Sequence, residues 1–258
     1  MVLLSFLVVT GCSRRDILDD YPVSGVEVRL DWSGVTEKLP EGVRIIFYPK
    51  DEKGRKIDTY LSVTGGEVKV PSGHYAVVIY NYDTETVLIR GEESYETIQA
   101  YTNFCKLGIA GTEKMVWGPD PLYVVNIDDL DIQNSEETLI LKLKPKLVIR
   151  TYSFSIKVQG LSNVSNVIGS IGGMADHYFL GKAYAMCDDY PINIDLNVKA
   201  GKIEGVFTTF GLPEAIITRL EIKLPVMMNL MIIKVDNSVQ EVKINITEAV
   251  QEPTGGGE

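Results

Sequence analysis

The sequence predicts an all-β protein built from two tandem β-sandwiches, on the basis of three observations. Short runs of alternating apolar and polar residues recur along the chain, and the clearest places Val26, Val28, Leu30 and Trp32 on one face. Clusters of Gly, Pro, Asp and Asn separate these runs and favour turns. Apolar residues do not repeat at helical spacing over three turns anywhere in the chain. Many short strands joined by turns are typical of β-sandwiches.

Strand-like runs occupy both halves of the chain. Those of the first half span 26–32, 43–48, 67–70, 75–80, 87–90, 123–125 and 138–143. Those of the second half span 147–158, 192–198, 202–210, 217–224, 226–235 and 239–246. The glycine-bearing stretch 168–175 fits either one short helix or a bulged strand. Lys144-Pro145-Lys146 interrupts the pattern, because proline removes a donor from a strand ladder, so we predict a domain boundary near Pro145.

The N-terminal residues indicate a secretory signal. The apolar run 2–7 leads into Val8-Val9-Thr10-Gly11-Cys12, and the charged stretch 13–16 follows at once. The run is too short to span a bilayer as a helix. Its end resembles a bacterial lipobox, in which the cysteine thiol is diacylated and the peptide is cut before that cysteine. The alternative is a buried N-terminal strand with an incidental cysteine.

These observations divide the chain of 258 residues into five parts. We predict a signal peptide over 1–11, a lipidated tether over 12–24, sandwiches over 25–145 and 146–250, and a flexible tail over 251–258. A hydrophobic content of 45% is ordinary for folded domains. The net charge of −10 argues against nucleic-acid binding and against a broad electrostatic dock on anionic lipid. Acylation of Cys12 would instead hold the chain to the membrane covalently.

The chain offers little that resembles catalytic or metal chemistry. Cys105 and Cys187 remain after Cys12, either as two separate buried thiols or as a pair, and their spacing matches no zinc motif. The loop 169–173 lacks the ending of a phosphate-binding loop. His74 and His177 could act as bases in principle, but isolated histidines beside strands are mostly surface or core residues.

Two acidic groups, Asp128-Asp129 with Asp131 and Asp188-Asp189, could be considered for calcium. Neither has the alternating order of a known calcium loop, so solvated loops are the expectation. The 13 tyrosines and two tryptophans could form a sugar-stacking platform, although sandwich packing accounts for most of them, among them Trp32, Tyr48, Tyr80 and Tyr152. We therefore predict no enzyme, and no catalytic, cofactor-binding or metal-binding residues.

Several short motifs resemble a family of Bacteroidales lipoproteins. They are the lipobox cysteine with Arg14-Arg15-Asp16, the strand ending in Asp31-Trp32, Ile46-Phe47-Tyr48-Pro49, Val70-Pro71-Ser72-Gly73-His74-Tyr75, Val78-Ile79-Tyr80-Asn81-Tyr82, Val158-Gln159-Gly160-Leu161 and Thr208-Thr209-Phe210-Gly211. The family is fimbrillin-like and resembles the major, anchor and accessory subunits of type V pili. The resemblance implies two tandem sandwiches of the transthyretin-like type, lipidation at the outer membrane, and assembly by strand donation.

In polymerising subunits of that family, a trypsin-like protease cuts after an arginine in the N-terminal domain and opens a groove. Arg29 and Arg44 lie in that region without a clear match to a cleavage site. The run 26–32 is the candidate resident strand, and 226–235 or 239–246 is the candidate donated strand. All three could equally complete their own sandwiches.

The resulting hypothesis is a non-enzymatic, lipid-anchored protein of the outer-membrane surface that acts in structure or adhesion. It would be an anchor, cap or accessory subunit of a type V-like fimbria, with other fimbrial subunits as partners. The alternative is a surface lipoprotein that binds glycans for a polysaccharide uptake system. A hydrolase would need clustered carboxylates or a histidine-based pair, and the sequence spacing provides neither.

Substituting Cys12→Ala should release the protein from the membrane, because the lipid on this thiol is the predicted anchor. Fractionation would find the variant in the soluble fraction. Intact-mass analysis of the membrane-extracted wild type should show the lipid increment and the loss of residues 1–11. Soluble, unmodified wild-type protein that retains its first residues would contradict the prediction.

Overall fold

The computed structural model describes residues 23–52, 54–107, 112, 114–199, 201–214 and 225–250. The predicted signal peptide, Cys12, most of the tether, the run 217–224 and the tail lie outside these residues. Within the described ranges, no helix is both long enough and apolar enough to cross a membrane.

The regular secondary structure of the described residues is nearly all β-strand, as predicted. The strands are β1 Val23–Leu30, β2 Gly42–Pro49, β3 Ile57–Ser62, β4 Gly65–Pro71, β5 Gly73–Asn81, β6 Val87–Arg90, β7 Gln99–Thr102, β8 Tyr123–Ile132, β9 Leu139–Leu143, β10 Lys146–Leu147, β11 Arg150–Lys157, β12 Val164–Gly172, β13 His177–Phe179, β14 Tyr184–Met186, β15 Ile192–Lys199, β16 Lys202–Thr209, β17 Met227–Lys234 and β18 Val239–Asn245. Among the described residues, helical structure is confined to a 3₁₀ turn, Leu161–Asn163, and α1, Thr247–Val250.

The first sheet has the strand order β10-β8-β5-β2-β3-β4-β1-β9. Its strands pair antiparallel except for β1 and β9, which run parallel. Residues from both ends of the sheet, such as Val26 of β1 and Val77 of β5, belong to the same buried cluster. The sheet therefore curls over and encloses its own core.

Strands β2 and β5 are buried on both faces. On the inner face, Ile45 and Phe47 of β2 pack into the core that the curled sheet encloses. On the opposite face, Ile46 of β2 and Val78 of β5 pack into a second cluster. This explains why their sequences read as nearly continuous apolar runs rather than as clean alternation.

The second cluster joins the two halves of the chain. It combines Ile98 from the first half with Leu180 and Phe210 from the second. The third sheet, of order β14-β13-β7-β6, also takes two strands from each half, and the Leu180 amide donates to the Ile98 carbonyl at 3.0 Å. The two halves therefore share one core, and the boundary near Pro145 stays a prediction.

The second sheet has the order β11-β16-β15-β12-β17-β18 and belongs to the second half. Its buried face carries a separate core that includes Ile171, Ile192 and Leu230. Helix α1 closes the end of this core, because Val250 is only 5% exposed within the same cluster.

The structure corrects two sequence-based expectations and decides between two alternatives for a third segment. The run 147–158 is divided between β10 and β11, which belong to different sheets. Asp128, Asp129 and Asp131 lie on β8 rather than in a loop, because β8 extends to Ile132 alongside β5. The stretch 168–175 is not a helix: it is strand as far as Gly172, where β12 ends, and the register shift between β12 and β17 lies before it, between Val164 and Asn166.

Substituting Leu180→Ala should lower the free energy of unfolding by about 2–5 kcal/mol, because Leu180 is fully buried in the shared core. Since both halves contribute to that core, a single shifted transition is expected rather than loss of one half. The matched control is Leu212→Ala. Leu212 is 39% exposed, and its change should stay within about 0.5 kcal/mol. Equal effects of the two variants in chemical denaturation would contradict the shared core.

Candidate assembly surfaces

Three strands of appreciable length lie at sheet edges among the described residues. They are β9 in the first sheet, and β11 and β18 in the second. An edge strand leaves a row of backbone N–H and C=O groups that another extended segment can pair with. These edges are the candidate surfaces for assembly.

The hydrogen bonds of β18 show which of its amides face outward. The Ile246 amide donates to the Val226 carbonyl at 2.9 Å, and the Lys234 amide donates to the Ser238 carbonyl at 2.9 Å. In the antiparallel register of β17 and β18, these bonds show that the amides of the even-numbered residues of β18 point toward β17. The amides of Glu241 and Lys243 therefore point away from β17, along the free edge.

The two predicted donor segments differ in how firmly they are held. Strand β17 is internal, since it pairs with both β12 and β18, and its Met228 and Leu230 are buried. Among the strands that the structure describes, β18 pairs with β17 alone, and its Val242 and Ile244 are only partly buried against the core. Of the two segments, 239–246 is the one that lies at a sheet edge and can pair with an added strand.

The predicted resident strand is fully integrated in the first sheet. Strand β1 pairs with β4 on one side and with β9 on the other. Val26 and Val28 are 0% and 1% exposed. Trp32 follows the strand and donates from Nε1 to the Val63 carbonyl at 2.6 Å. Removing β1 would open a groove between β4 and β9, and the apolar core that the first sheet encloses would line that groove.

The arginines near β1 are held in folded structure. Arg29 lies within β1, and its Nε donates to Glu27 at 2.7 Å on the surface. Arg44 lies in the central strand β2, between Asp58 at 2.7 Å and Glu92 at 2.8 Å. These two carboxylates, Asp58 first, raise the pKa of Arg44 well above its usual value. The loop 31–41 that follows β1 contains no arginine.

Two tyrosines beside Arg44 form an exposed aromatic patch, which we call the Tyr60–Tyr82 patch. Tyr60 is 61% exposed and Tyr82 is 45% exposed. Their ring centroids lie 5.2 Å apart at 88°, and the Arg44 guanidinium lies 5.8 Å from the Tyr60 centroid. A side chain at Gly42 would collide with Tyr82, because its Cβ would lie 2.8 Å from the Tyr82 hydroxyl.

The sequence singled out other aromatic residues, and the structure packs them inside or against the folded body. Tyr48 and Tyr80 are buried, and burial raises the pKa of both phenols. Trp32 contacts Tyr123, and Tyr152 stacks on Phe207. The Tyr60–Tyr82 patch was missed, although Ile57–Ser62 alternates in the period expected of a strand.

The histidines have different environments. His74 is exposed, and its Nδ1 lies 3.3 Å from Asp129, which also pairs with Lys50 at 3.0 Å. The Lys50 and His74 contacts lower the pKa of Asp129. His177 is buried, and its Nδ1 donates to Asp176 at 2.6 Å. The sequence did not reveal this pair, because Asp176 carries no motif.

The remaining candidate residues are accounted for as follows. Cys105 and Cys187 are separate free thiols, and Cys187 is only partly buried. Burial raises the pKa of both thiols to about 11, so neither is a reactive thiolate at neutral pH. Ser170 of the predicted glycine-bearing loop lies in β12 and is 9% exposed.

Comparisons with known proteins agree with this fold. Residues 11–195 match a family model described as a domain of unknown function, DUF5119. A Bacteroides ovatus protein assigned as the fimbrium anchoring subunit Fim4B is 52% identical, and the match covers 100% of this chain and 81% of that protein. The chain therefore belongs to the DUF5119 family.

Two solved structures extend the comparison. A Bacteroides ovatus protein described as an adhesin superposes with a TM-score of 0.84 at 51% identity, and the match covers 96% of this chain and 93% of that protein. The fimbrial anchor protein Mfa2 from Porphyromonas gingivalis superposes with a TM-score of 0.53 at 14% identity, covering 88% and 83% of the two chains. The second likeness extends the fold, and only the fold, to a distant protein.

Proposed function

We propose that this protein is a non-enzymatic anchoring or accessory subunit of a fimbria, displayed at the cell surface. The observation that carries the proposal is the 52% identity, across the whole chain, to a protein assigned as a fimbrium anchoring subunit. Its partners are other fimbrial subunits. The protein is held to the outer membrane by a lipid on Cys12, and it joins its neighbour through a sheet edge.

The lipid anchor is supported by the sequence around Cys12. Small residues precede this cysteine after an apolar run, as a lipobox requires. The family model begins its match at residue 11, directly before Cys12. A mature protein that starts at Cys12 would therefore retain the family domain almost complete.

The arginine positions support a subunit that keeps β1 in place. A cut after Arg29 or Arg44 would have to occur inside a paired strand. Arg55 lies exposed in the turn between β2 and β3, so a cut there would have to release the doubly buried β2 together with β1. An uncut first sheet fits a subunit at one end of a fimbria, which needs one assembly contact rather than two.

The free edge of β18 supports assembly at this strand. Its outward amides, those of Glu241 and Lys243, have exposed side chains beside them. An incoming strand could add to this edge by main-chain hydrogen bonds. Deleting 239–258 would be a poor test, because Ile244 and Val250 pack against the core of the second half. A single substitution at the edge is sharper.

Substituting Lys243→Pro should abolish association with fimbrial subunits while the fold is kept. Proline removes the outward amide donor and is tolerated at a sheet edge. The matched control, Lys243→Ala, removes the same exposed side chain but keeps the amide. Co-purification from fimbriated cells measures the association, and thermal unfolding checks the fold.

The control should co-purify normally and the proline variant should not. Should Lys243→Pro co-purify as well as the wild type, assembly through the outer edge of β18 is wrong. Should the proline variant fail to fold, Glu241→Pro with Glu241→Ala tests the same edge at a second outward amide.

A second candidate function, glycan binding, is favoured by the Tyr60–Tyr82 patch. Aromatic faces stack on the apolar faces of sugars, and the neighbouring carboxylates of Asp58 and Glu92 can accept hydrogen bonds from hydroxyls. Arg44 holds these groups in place through five hydrogen bonds to Asp58, Glu92 and the Tyr80 hydroxyl. The two carboxylates beside the patch are therefore pre-organised.

If the patch binds glycans, the double variant Tyr60→Ala/Tyr82→Ala should lose binding to an array of neutral oligosaccharides such as mannotetraose and cellotetraose. The control is Phe104→Ala, which removes an exposed ring that is 48% accessible elsewhere on the surface. Wild-type protein that binds none of the array, or a double variant that binds as well as the wild type, would exclude this function for the patch.

A further inference from the structure

We propose that Asp176, His177 and Asp188 form a binding site for a divalent transition-metal ion of the zinc class, at the junction between the two halves of the chain. One ligand atom from each residue lies within 4.8 Å of the others. Asp176 and His177 are buried, with side chains 4% and 5% exposed. The site is separate from the sheet edges and from the Tyr60–Tyr82 patch.

A folded loop brings the third residue to the other two. One carboxylate oxygen of Asp176, Oδ2, accepts the amides of Asp188 at 2.8 Å and of Tyr190 at 3.2 Å. Asp189 turns the chain between them with a φ of 67°. This returns the Asp188 side chain to within 3.9 Å of the His177 ring. Asp176 thus shapes the loop with one oxygen and keeps the other, Oδ1, facing His177.

The geometry converges on a single nitrogen. His177 Nδ1 lies 2.6 Å from Asp176 Oδ1 and 3.9 Å from Asp188 Oδ2. Ligand atoms around a tetrahedral zinc ion lie roughly 3.4 Å apart, given metal–ligand distances of about 2.0–2.2 Å. The two separations bracket that value, and the two carboxylate oxygens lie within 4.8 Å of each other, so small side-chain shifts would seat an ion.

His74 also lies near two aspartates, but they face different nitrogens of its ring. Its Nδ1 faces Asp129 at 3.3 Å, whereas its other nitrogen, Nε2, faces Asp131 at 3.8 Å. Two carboxylates on opposite nitrogens cannot share one ion with the ring. All three of these side chains are also about half exposed.

The charges and the ligand types favour a zinc-class ion. Two carboxylates meet one imidazole, so the ligand set carries negative charge. Arg90, 3.8 Å from Asp188, offsets part of that charge. One nitrogen and two carboxylate oxygens suit zinc with a fourth, solvent position. Calcium would need six to eight oxygen ligands. Because Asp176 accepts a hydrogen bond from Nδ1, that proton must leave Nδ1 when the metal binds there, and Nε2 of the same neutral ring can take up a proton in its place.

The site would fasten a loop of the second half to the strand that meets the first half. His177 begins β13, which pairs with β7 of the first half, and Asp188 follows β14 in the same sheet. An ion held by both would tie the loop 187–190 to that sheet. Binding to the folded state alone would also raise the melting temperature.

The test is a titration of the metal-free full chain with zinc chloride by calorimetry and thermal unfolding. The wild type should bind one ion and melt at a higher temperature. Asp188→Asn should weaken binding by at least about tenfold. The matched control, Asp131→Asn, changes a similarly exposed aspartate beside His74 and should bind like the wild type.

No saturable zinc binding to the wild type, or equal binding to the wild type and Asp188→Asn, would overturn the proposal. Should Asp188→Asn fail to fold, anomalous diffraction from zinc-soaked wild-type crystals decides instead. A peak between His177 Nδ1 and the two carboxylates supports the site, and zinc found only elsewhere, or not at all, refutes it.

Discussion

The burial of β2 and β5 on both faces is the constraint on which the rest of the structure depends. Ile45 and Phe47 fill the core enclosed by the first sheet, while Ile46 and Tyr48 fill the core shared between the halves. Each face needs a separate cover: the curled ends of the same sheet on one side, and the third sheet with residues of the second half on the other. The two halves are therefore coupled through these strands.

This coupling limits where the protein can meet a partner. A strand can be exchanged with a neighbouring subunit only where its removal does not expose the core that the two halves share. Strand β1 is paired on two sides and buried, whereas β18 is at the far edge of the second sheet. The organisation favours a stable body that offers an edge, as a terminal subunit of a fimbria requires.

The fold class could be predicted from the sequence because period-two alternation and turn residues are local signals. The run 87–90 matches β6, and 239–246 matches β18 with one additional residue. The parallel pairing of β9 with β1 could not be predicted, since it joins segments more than 100 residues apart. The shared core was missed for the same reason: Leu180 lies outside the strand-like runs, and the run 202–210 that ends at Phe210 carries no local signal of its packing near β2.

The candidate surfaces were predictable to different degrees. The sequence named both 226–235 and 239–246 as candidate donated strands, and only the strand order separates β18, which is at an edge, from the internal β17. The Asp176–His177–Asp188 cluster depends on a loop conformation held by backbone amides, for which the sequence carries no signature. Likewise, Tyr60 and Tyr82 are brought together by the pairing of β3 with β2 and by the end of β5.

Hydrogen–deuterium exchange tests the central claim most directly, by comparing the free protein with the protein in isolated fimbriae. The account predicts slower exchange in fimbriae at the outward amides of β18, including Glu241 and Lys243, because an added strand would bond them. The amides of β1 should exchange equally slowly in both states. Unchanged exchange in β18 together with altered exchange in β1 would contradict assembly at the β18 edge with the first sheet intact.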